Sequence, residues 1–316
     1  MNTEKKIIAL IVPCYNEEET IESFVSACDC FLSPLKERYA FCTILVDDGS
    51  KDRSLEIMRR LAQSRDDIRY ISFSKNSGKE MALYAGYSAA LKIGASAAIP
   101  MDVDLQDPPE LIAQFVQAWE EGYDYIYAHM RGRKGQGFAK RFFSDNYYRV
   151  FRLLTGDEKI ESGDRDYALT DRKVIRAFVS LRDRNRFNRG IADFVGFKRK
   201  RIDYDYTDRV AGSTKFNMKR LLKYAYQSFV EFGHVDRLIP DLFIILSVLG
   251  LVTFIILGPL VSWFGFLPLS LFALTLVVSI LARVIISLLY EIRDESRRRP
   301  FFFIADTNIE DLNFDW

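Results

Sequence analysis

Two acidic residues separated by one position are the chemically most informative feature of this sequence. Asp102 and Asp104 stand directly after a short apolar run that ends at Pro100. Two carboxylates this close repel each other unless a positive charge lies between them. Oxygen ligands at such a turn suit Mg²⁺ or Mn²⁺ bound together with phosphate groups. The pair therefore indicates a D-x-D site for a metal and a nucleotide sugar, and the alternative is a solvated turn that caps the helix after Pro108.

The elements around this pair are predicted from an alternation of short apolar runs with longer helical patterns. Strands are expected at 7–12, 43–46, 68–73, 97–101 and 123–128, and helices at 17–32, 50–63, 78–93 and 108–121. Such an alternation predicts an α/β fold, in which a mostly parallel, Rossmann-like sheet carries helices on both faces. Ligands of these sheets bind beyond the carboxyl ends of the strands, where four polar clusters fall. Neither a G-x-G-x-x-G turn nor a P-loop is present, which excludes these two nucleotide-binding devices.

The C-terminal third contains long apolar runs. The whole chain of 316 residues carries a formal net charge of only +1. Residues 242–266 contain no charged side chain, and residues 267–281 continue the apolar pattern after a Gly/Pro turn. At about 1.5 Å per residue, a helix over the first run would be long enough to cross a bilayer. The pattern predicts two transmembrane helices over 238–292, and a single buried core helix is the alternative.

Basic residues flank this predicted hairpin on both sides and are absent from its connecting turn. They are Lys215, Lys219, Arg220, Lys223 and Arg237 before it, and Arg293, Arg297, Arg298 and Arg299 after it. The positive-inside rule then places both ends in the cytoplasm. We therefore expect an integral protein of the inner (cytoplasmic) membrane. A cytoplasmic catalytic domain over 1–215 would precede an amphipathic juxtamembrane helix over 216–237, and a cytoplasmic tail over 293–316 would follow the hairpin.

Taken in order, the motifs resemble those of the family 2 glycosyltransferases with a GT-A fold. The matching segments are 12–18 (VPCYNEE), 46–50 with Asp52, 76–79, 101–110, 186–190 and 209–215. Within this family the chain resembles the membrane-anchored polyprenyl-phosphate glycosyltransferases. These include the dolichyl-phosphate mannose synthases and, more closely, the bacterial bactoprenol glucosyltransferases. The likeness covers nearly the whole chain.

The resemblance implies donor-side roles. Nucleotide-binding residues would be Pro13, Tyr15, Glu17, Asp47, Asp48, Lys79 and Asp102. Mg²⁺ or Mn²⁺ would be held by Asp102, Asp104 and Gln106 and would neutralise charge that grows on the departing nucleoside diphosphate. Arg209 and Lys215 would close over that diphosphate as further catalytic groups, and their alternative role is attraction to anionic lipid head groups.

The acceptor side is predicted in a basic helical segment after the fifth strand. Its polar residues are Arg131, Arg133, Lys140, Arg141 and Ser144, which flank an apolar stripe. A lipid phosphate at the membrane surface suits this arrangement. Nucleic acid is the competing partner for a basic helix, and the hairpin together with the D-x-D argues against it.

The resemblance also implies an acceptor-side acid. Asp166 falls on that position, and Asp164 is the alternative alignment; Arg165 and Ala168 replace a glycine and an arginine of the family. A phosphate monoester has its second pKa near ~6 and is largely ionised at neutral pH. Asp166 is therefore expected to orient the acceptor or the metal more than to abstract a proton.

The implied reaction is an inverting transfer of one sugar from a nucleotide sugar to a polyprenyl phosphate. UDP-glucose and undecaprenyl phosphate are the expected substrates, with UDP-N-acetylglucosamine or a galactose, mannose or aminoarabinose donor still open. A processive synthase would carry Q-x-x-R-W and more spans, and a catalytically silent lipid-presenting subunit is favoured only by Ala168. The resemblance implies a homo-oligomer, a tetramer. Residues 300–305 are expected to pair with a neighbouring subunit as an edge strand, the alternative being packing on their own domain.

Overall fold

A computed structural model of the chain describes residues 5–131, 164–183, 186, 188–205, 299–312 and 314, together with some positions between 249 and 296. The chain divides into two compact units. The first unit holds every strand described below, and the described positions of the second unit between 274 and 296 are helical.

Within the described residues the first unit forms one eight-stranded sheet. Its strands are β1 (Lys6–Cys14), β2 (Tyr39–Asp47), β3 (Ile68–Phe73), β4 (Ala97–Pro100), β5 (Tyr125–Arg131), β6 (Asp164–Asp171), β7 (Arg199–Asp205) and β8 (Ile304–Thr307). The spatial order is β7-β5-β6-β4-β1-β2-β3-β8. Strand β6 is antiparallel to β4 and β5, and β8 is antiparallel to β3, whereas every other neighbouring pair is parallel. The expected α/β fold with a mostly parallel sheet is confirmed.

The central strands are buried on both faces. Ile8, Leu10 and Val12 of β1 alternate with Ala9 and Ile11, and all five are 0% exposed. A continuous apolar run of this kind is typical of a parallel strand covered by helices on both sides. Strand β1 therefore lies in the core of the sheet and holds the loop that follows it in a fixed position.

Among the described residues of the first unit, six α-helices cover the sheet. They are α1 (Ile21–Leu32), α2 (Ser54–Ser64), α3 (Lys79–Lys92), α4 (Leu111–Glu120), α5 (Arg172–Ser180) and α6 (Asn188–Phe194). Helix α3 packs closest, because a Cβ atom at Gly86 would lie 2.2 Å from Cγ2 of Ile11 in β1. Only glycine allows this approach, which sets the position of Lys79 at the start of the helix.

The C-terminal tail extends the sheet of its own chain. Thr307 pairs with Ile71 and Asp306 with Ser72 of β3, while the ring of Phe302 stacks on Phe73 with 4.2 Å between centroids. The expectation that residues 300–305 pair with a neighbouring subunit is wrong in this structure. The cause is that β3 leaves a free edge beside an apolar surface that fits Phe302.

No helix among the described residues is long and apolar enough to span a membrane. The predicted juxtamembrane helix at 216–237 lies outside the described residues, and so does most of the hairpin predicted at 238–292.

Candidate functional site

Loops from four parallel strands meet at the carboxyl edge of the sheet. They follow β1, β2, β3 and β4, and the first residues of the antiparallel β6 reach the same edge. The backbone N–H of Asp48 donates to the carbonyl of Cys14 over 2.9 Å, which ties the second loop to the first. This is the edge at which the sequence predicted ligand binding.

Two buried carboxylates hold the loops after β2 and β3. Asp47 is 1% exposed and accepts from the Ser50 N–H over 2.9 Å and the Ser72 hydroxyl over 2.6 Å. Asp48 is 4% exposed and accepts from the N–H groups of Ser77 and Gly78 at 2.6 and 2.9 Å. Burial raises the pKa of Asp48 to about 6, against the lowering effect of these backbone bonds. Both residues brace the loops, and their predicted contact with a base stays a prediction.

The loop after β2 also passes close to the loop after β3. Gly49 has φ +68, and a Cβ atom there would lie 2.5 Å from the carbonyl carbon of Lys75. Glycine alone accepts this backbone conformation without a steric cost. Gly49 therefore allows the loop after β2 to pack closely against the loop after β3.

The loop after β1 is tied down by the loop after β2. The N–H of Asn16 donates to Oγ of Ser50 and the N–H of Glu17 to Oγ of Ser54, each over 2.9 Å. Asn16 adopts a left-handed φ of 54, and its side-chain oxygen accepts from the N–H of Lys51 over 2.8 Å. Tyr15 and Glu17 thus share one fixed loop, with Tyr15 exposed at the surface, and Pro13 lies just before it at the end of β1.

Three predicted site residues from distant parts of the chain converge beside this loop. Nζ of Lys79 lies 2.5 Å from Oδ1 of Asp102 and 4.0 Å from Oδ2 of Asp166. Burial disfavours the charge on Lys79, but the carboxylates of Asp102 and Asp166 outweigh it and raise the pKa of the lysine. The structure therefore places a permanent positive charge between a donor-side acid and the predicted acceptor-side acid.

The rest of the D-x-D loop makes a tight turn. Leu105 adopts a left-handed φ of 54, and the N–H of Gln106 donates to Oδ1 of Asp104 over 3.2 Å. Asp102, Asp104 and Gln106 bring two carboxylates and one amide, which are the oxygen donors that Mg²⁺ and Mn²⁺ prefer. No group of three His, Cys, Asp or Glu residues able to hold a metal occurs in the described part of the chain. The donor types fit such a metal if phosphate and water complete its shell.

A buried cluster that the sequence reading missed supports this loop from below. Asp107 is 3% exposed and faces the guanidinium of Arg165 and the hydroxyl of Tyr204, both at 3.5 Å. The hydroxyl of Tyr167 donates to the carbonyl of Pro108 over 3.0 Å. Burial raises the pKa of Asp107 to about 6, while Arg165 opposes this rise. The sequence offered one signal for this cluster: Arg165 is a charged residue at a position where the related enzymes have glycine.

The predicted acceptor side is described in part. Arg131, which ends β5, is 64% exposed and lies 3.6 Å from Asp203. The other four predicted acceptor residues, Arg133, Lys140, Arg141 and Ser144, lie outside the described residues, and so do Arg209 and Lys215, which were predicted to close over the diphosphate.

A mostly parallel α/β sheet with a D-x-D loop and a lysine at its carboxyl edge fits a glycosyltransferase. Residues 9–178 match the family Glycosyl transferase family 2, and the chain belongs to this family.

An uncharacterized glycosyltransferase of Synechocystis sp. is 35% identical over 307 residues, 95% of each chain. The prophage bactoprenol glucosyl transferase homolog of Escherichia coli K12 is 36% identical over 226 residues, 72% of each chain. A bactoprenol glucosyl transferase of Shigella phage SfX is 36% identical over 228 residues, again 72% of each chain.

Proposed function

We propose that this glycosyltransferase transfers one sugar, glucose from UDP-glucose, to undecaprenyl phosphate at the cytoplasmic face of the membrane. The carrying observation is the convergence of Lys79, Asp102 and Asp166 within 4.0 Å of the lysine nitrogen. A donor site and an acceptor site must share one reaction point, and this cluster joins residues assigned to each. The names of the bactoprenol relatives support the choice of lipid and sugar.

The donor half of the site would hold the nucleotide. Tyr15 and Glu17 lie on a loop fixed by bonds to Ser50 and Ser54, and Pro13 precedes it at the end of β1. A fixed loop loses little conformational entropy when a base binds, which favours affinity. The diphosphate would then extend toward Lys79 and the D-x-D loop.

Asp102, Asp104 and Gln106 would hold Mg²⁺ or Mn²⁺. Such an ion, when bound, supplies positive charge that stabilises a departing diphosphate. Lys79 adds a charge of this chain's own at the same place, because Asp102 and Asp166 keep its pKa raised.

The transfer itself would be a single displacement. An oxygen of the lipid phosphate forms a bond to the anomeric carbon while the bond from that carbon to the nucleoside diphosphate breaks. The configuration inverts, the electron pair leaves with the diphosphate, and no covalent enzyme intermediate is needed. The attacking monoester is largely ionised near neutral pH, since its second pKa is about 6.

Asp166 would orient the acceptor in this scheme. Its carboxylate is largely buried and lies 4.0 Å from Nζ of Lys79. This position beside Lys79 and Asp102 suits an orienting contact to a hydroxyl, a water molecule or the metal.

The predicted hairpin at 238–292 would bring the domain to the membrane, where the polyprenyl chain resides. Basic residues on both sides of the hairpin support a cytoplasmic position for residues 1–215 and 293–316. A homotetramer is part of the same proposal.

The test uses the full-length protein in detergent with Mg²⁺ or Mn²⁺, undecaprenyl phosphate and a panel of UDP- and GDP-sugars. Mass spectrometry would detect the lipid-phosphate-sugar, and an Asp104→Ala variant serves as the control. We expect one donor to give product with release of nucleoside diphosphate, and no product from the variant. No product from any donor, with nucleotide still bound, would support a silent lipid-presenting subunit instead.

A further inference from the structure

One face of the sheet carries a row of charged side chains beyond Asp166. Parallel pairing of β5 with β7 sets Tyr127 opposite Arg201 and His129 opposite Asp203. Directly paired residues point to the same side of a sheet, and the side alternates along each strand. Arg131, two positions after His129, therefore shares the face of Arg201 and Asp203.

Asp166 belongs to the same face. Pairing of β5 with β6 sets His129 opposite Asp164 and Tyr127 opposite Ala168. The register shifts between these two pairs, and the contacts of Asp107 identify the faces: Arg165 and Tyr204 both reach this carboxylate and therefore share one face. Asp166, the neighbour of Arg165, then points to the other face, which is that of Asp203, the neighbour of Tyr204. Because β6, β5 and β7 are neighbours, the row crosses the sheet from Asp166 toward Arg201 in the middle of β7, while Arg131 lies at the ligand-binding end of β5.

At its outer end, the row consists of two ion pairs that share the carboxylate of Asp203. Nε of Arg201 lies 2.9 Å from Oδ1 of Asp203, and Nη2 of Arg131 lies 3.6 Å from Oδ2 of the same carboxylate. Two guanidinium groups thus share one negative charge. The carboxylate oxygen Oδ1 has no hydrogen-bond partner among the described residues, so this ion pair lacks good alignment.

The contact of Arg131 with Oδ2 of Asp203 is open to exchange, whereas Oδ1 of the same carboxylate is buried. The side chains of Arg131, Arg201 and Asp203 are 64%, 40% and 28% exposed. Ion pairs at this exposure contribute little to stability. A ligand with more charge and better geometry would therefore displace the carboxylate at low cost.

We propose that Arg201, together with Arg131, binds the phosphate of the acceptor lipid and that Asp203 is the counter-ion that this phosphate replaces. The inference rests on the proposed function. A phosphate monoester carries about −1.5 to −2 charges at neutral pH, against −1 for a carboxylate. Its oxygens also match the planar fork of arginine. The ligand class is a phosphate monoester on a long apolar chain.

Two variants at this site carry opposite predictions. Arg201→Gln removes a phosphate contact and should raise the KM for undecaprenyl phosphate roughly tenfold. Asp203→Asn removes the competing charge and should lower that KM about threefold. The KM for the sugar nucleotide should stay within roughly twofold in both. A purely structural role would shift both variants in the same direction.

Lys200 offers a matched control on the same strand. It is the neighbour of Arg201 and points to the opposite face, where its Nζ lies 2.6 Å from Glu121. Lys200→Gln removes one positive charge at almost the same place in the chain, and we expect the acceptor KM to be unchanged. An equal effect of Lys200→Gln and Arg201→Gln, or a raised KM in Asp203→Asn, would overturn the inference.

A binding measurement separates this inference from the proposed reaction. The wild-type protein in detergent should bind undecaprenyl phosphate in preference to undecaprenol, and Arg201→Gln should lose most of that preference. If no donor gives product but this pattern holds, the reaction is wrong and the phosphate site stands. If product forms while Arg201→Gln keeps the full preference, the phosphate site is wrong. Should Arg201→Gln fail to fold, the lowered KM of Asp203→Asn decides.

Discussion

The carboxyl ends of β1 to β4 and the ends of β5 and β7 are built in different ways. On the first side, Asp47 and Asp48 are nearly inaccessible, and each accepts hydrogen bonds from two neighbouring residues. On the second side, Arg131, Arg201 and Asp203 are partly exposed and form ion pairs. The proposed donor side is thus held by buried hydrogen bonds, while the proposed acceptor side carries partly exposed charges that, under our proposal, a ligand would rearrange.

This difference fits the two substrates proposed above. A nucleotide has a rigid base whose recognition gains from groups that are already in place. A polyprenyl phosphate presents a single charged head group on a flexible chain that arrives from the membrane. Exposed guanidinium groups suit this head group, because long-range attraction speeds the encounter of opposite charges. Lys79, between Asp102 and Asp166, stands where the two sides meet.

The largest expected effect comes from removing the charge of Lys79, which lies between the proposed donor and acceptor sides. Lys79→Gln should lower kcat/KM roughly 100-fold, since electrostatic stabilisation of a developing charge by one group has about this size. The loss should fall mainly on kcat, because the lysine charge matters most when the diphosphate departs. Steady-state kinetics with the donor varied at saturating acceptor would measure it.

Lys75→Gln is the matched control, because Lys75 is an exposed lysine four residues earlier on the loop after β3. We expect its kcat/KM to stay near that of the wild type. Equal losses in the two variants would mean that Lys79 acts through the net charge of the loop rather than through Asp102 and Asp166.

A second prediction probes how firmly the donor side is organised. Gly49→Ala should lower the free energy of unfolding by about 2 kcal/mol or more, because the residue adopts a positive φ and contacts the Lys75 backbone. Thermal unfolding followed by circular dichroism would measure the change. Gly94→Ala is the control: it shares a positive φ, but a Cβ atom there meets nothing within 4 Å. Equal destabilisation of the two variants would mean that the close contact of Gly49 with the Lys75 backbone adds nothing to the cost of the substitution.

The sequence predicted the central elements well because their signal is local. The strand expected at 68–73 has these bounds in the structure, and the strand expected at 7–12 extends to Lys6–Cys14. The helix expected from residue 17 begins at Ile21 instead. The preceding residues bond to Ser50 and Ser54, and a periodic pattern cannot reveal such distant partners.

Elements whose partners lie far along the chain were harder to predict. Strand β7 begins with three basic residues, and Ile202 and Tyr204 are its only large uncharged side chains, which is too short an apolar pattern to mark a strand. Strand β8 covers Ile304–Thr307 and pairs with β3 of its own chain, and only the sheet order shows which edge is free. At the site, the chemistry of Asp102 and Lys79 was predicted from motifs, whereas the contact of Arg165 with Asp107 needed the fold.

A third prediction uses the buried carboxylate of Asp48. Its pKa is about 6 in the folded protein against an ordinary 3.8. The folded state therefore holds this proton more tightly, so the stabilising contribution is complete below about pH 4 and is lost as pH rises through 6. Relative to Asp48→Asn, the wild type should lose about 2 kcal/mol of unfolding free energy between pH 4 and pH 7.

Urea unfolding of both proteins at several pH values would measure this difference. Subtracting the variant removes the contribution of the other carboxylates, which titrate in both proteins. A difference that does not change with pH would mean that Asp48 stays ionised throughout, and that its two backbone hydrogen bonds outweigh burial.

The smallest expected effect separates the two sides by their response to salt. Charges at the surface are screened when the Debye length falls from about 10 Å at 0.1 M to about 3 Å at 1 M salt. Arg131 and Arg201 are exposed enough to be screened, so the KM for undecaprenyl phosphate should rise about threefold over this range. The KM for the sugar nucleotide should rise less, because its loops are held by short, buried hydrogen bonds. Arg201→Gln should flatten the acceptor response, and an equal slope for both substrates would remove the distinction between an organised donor side and an exchangeable acceptor side.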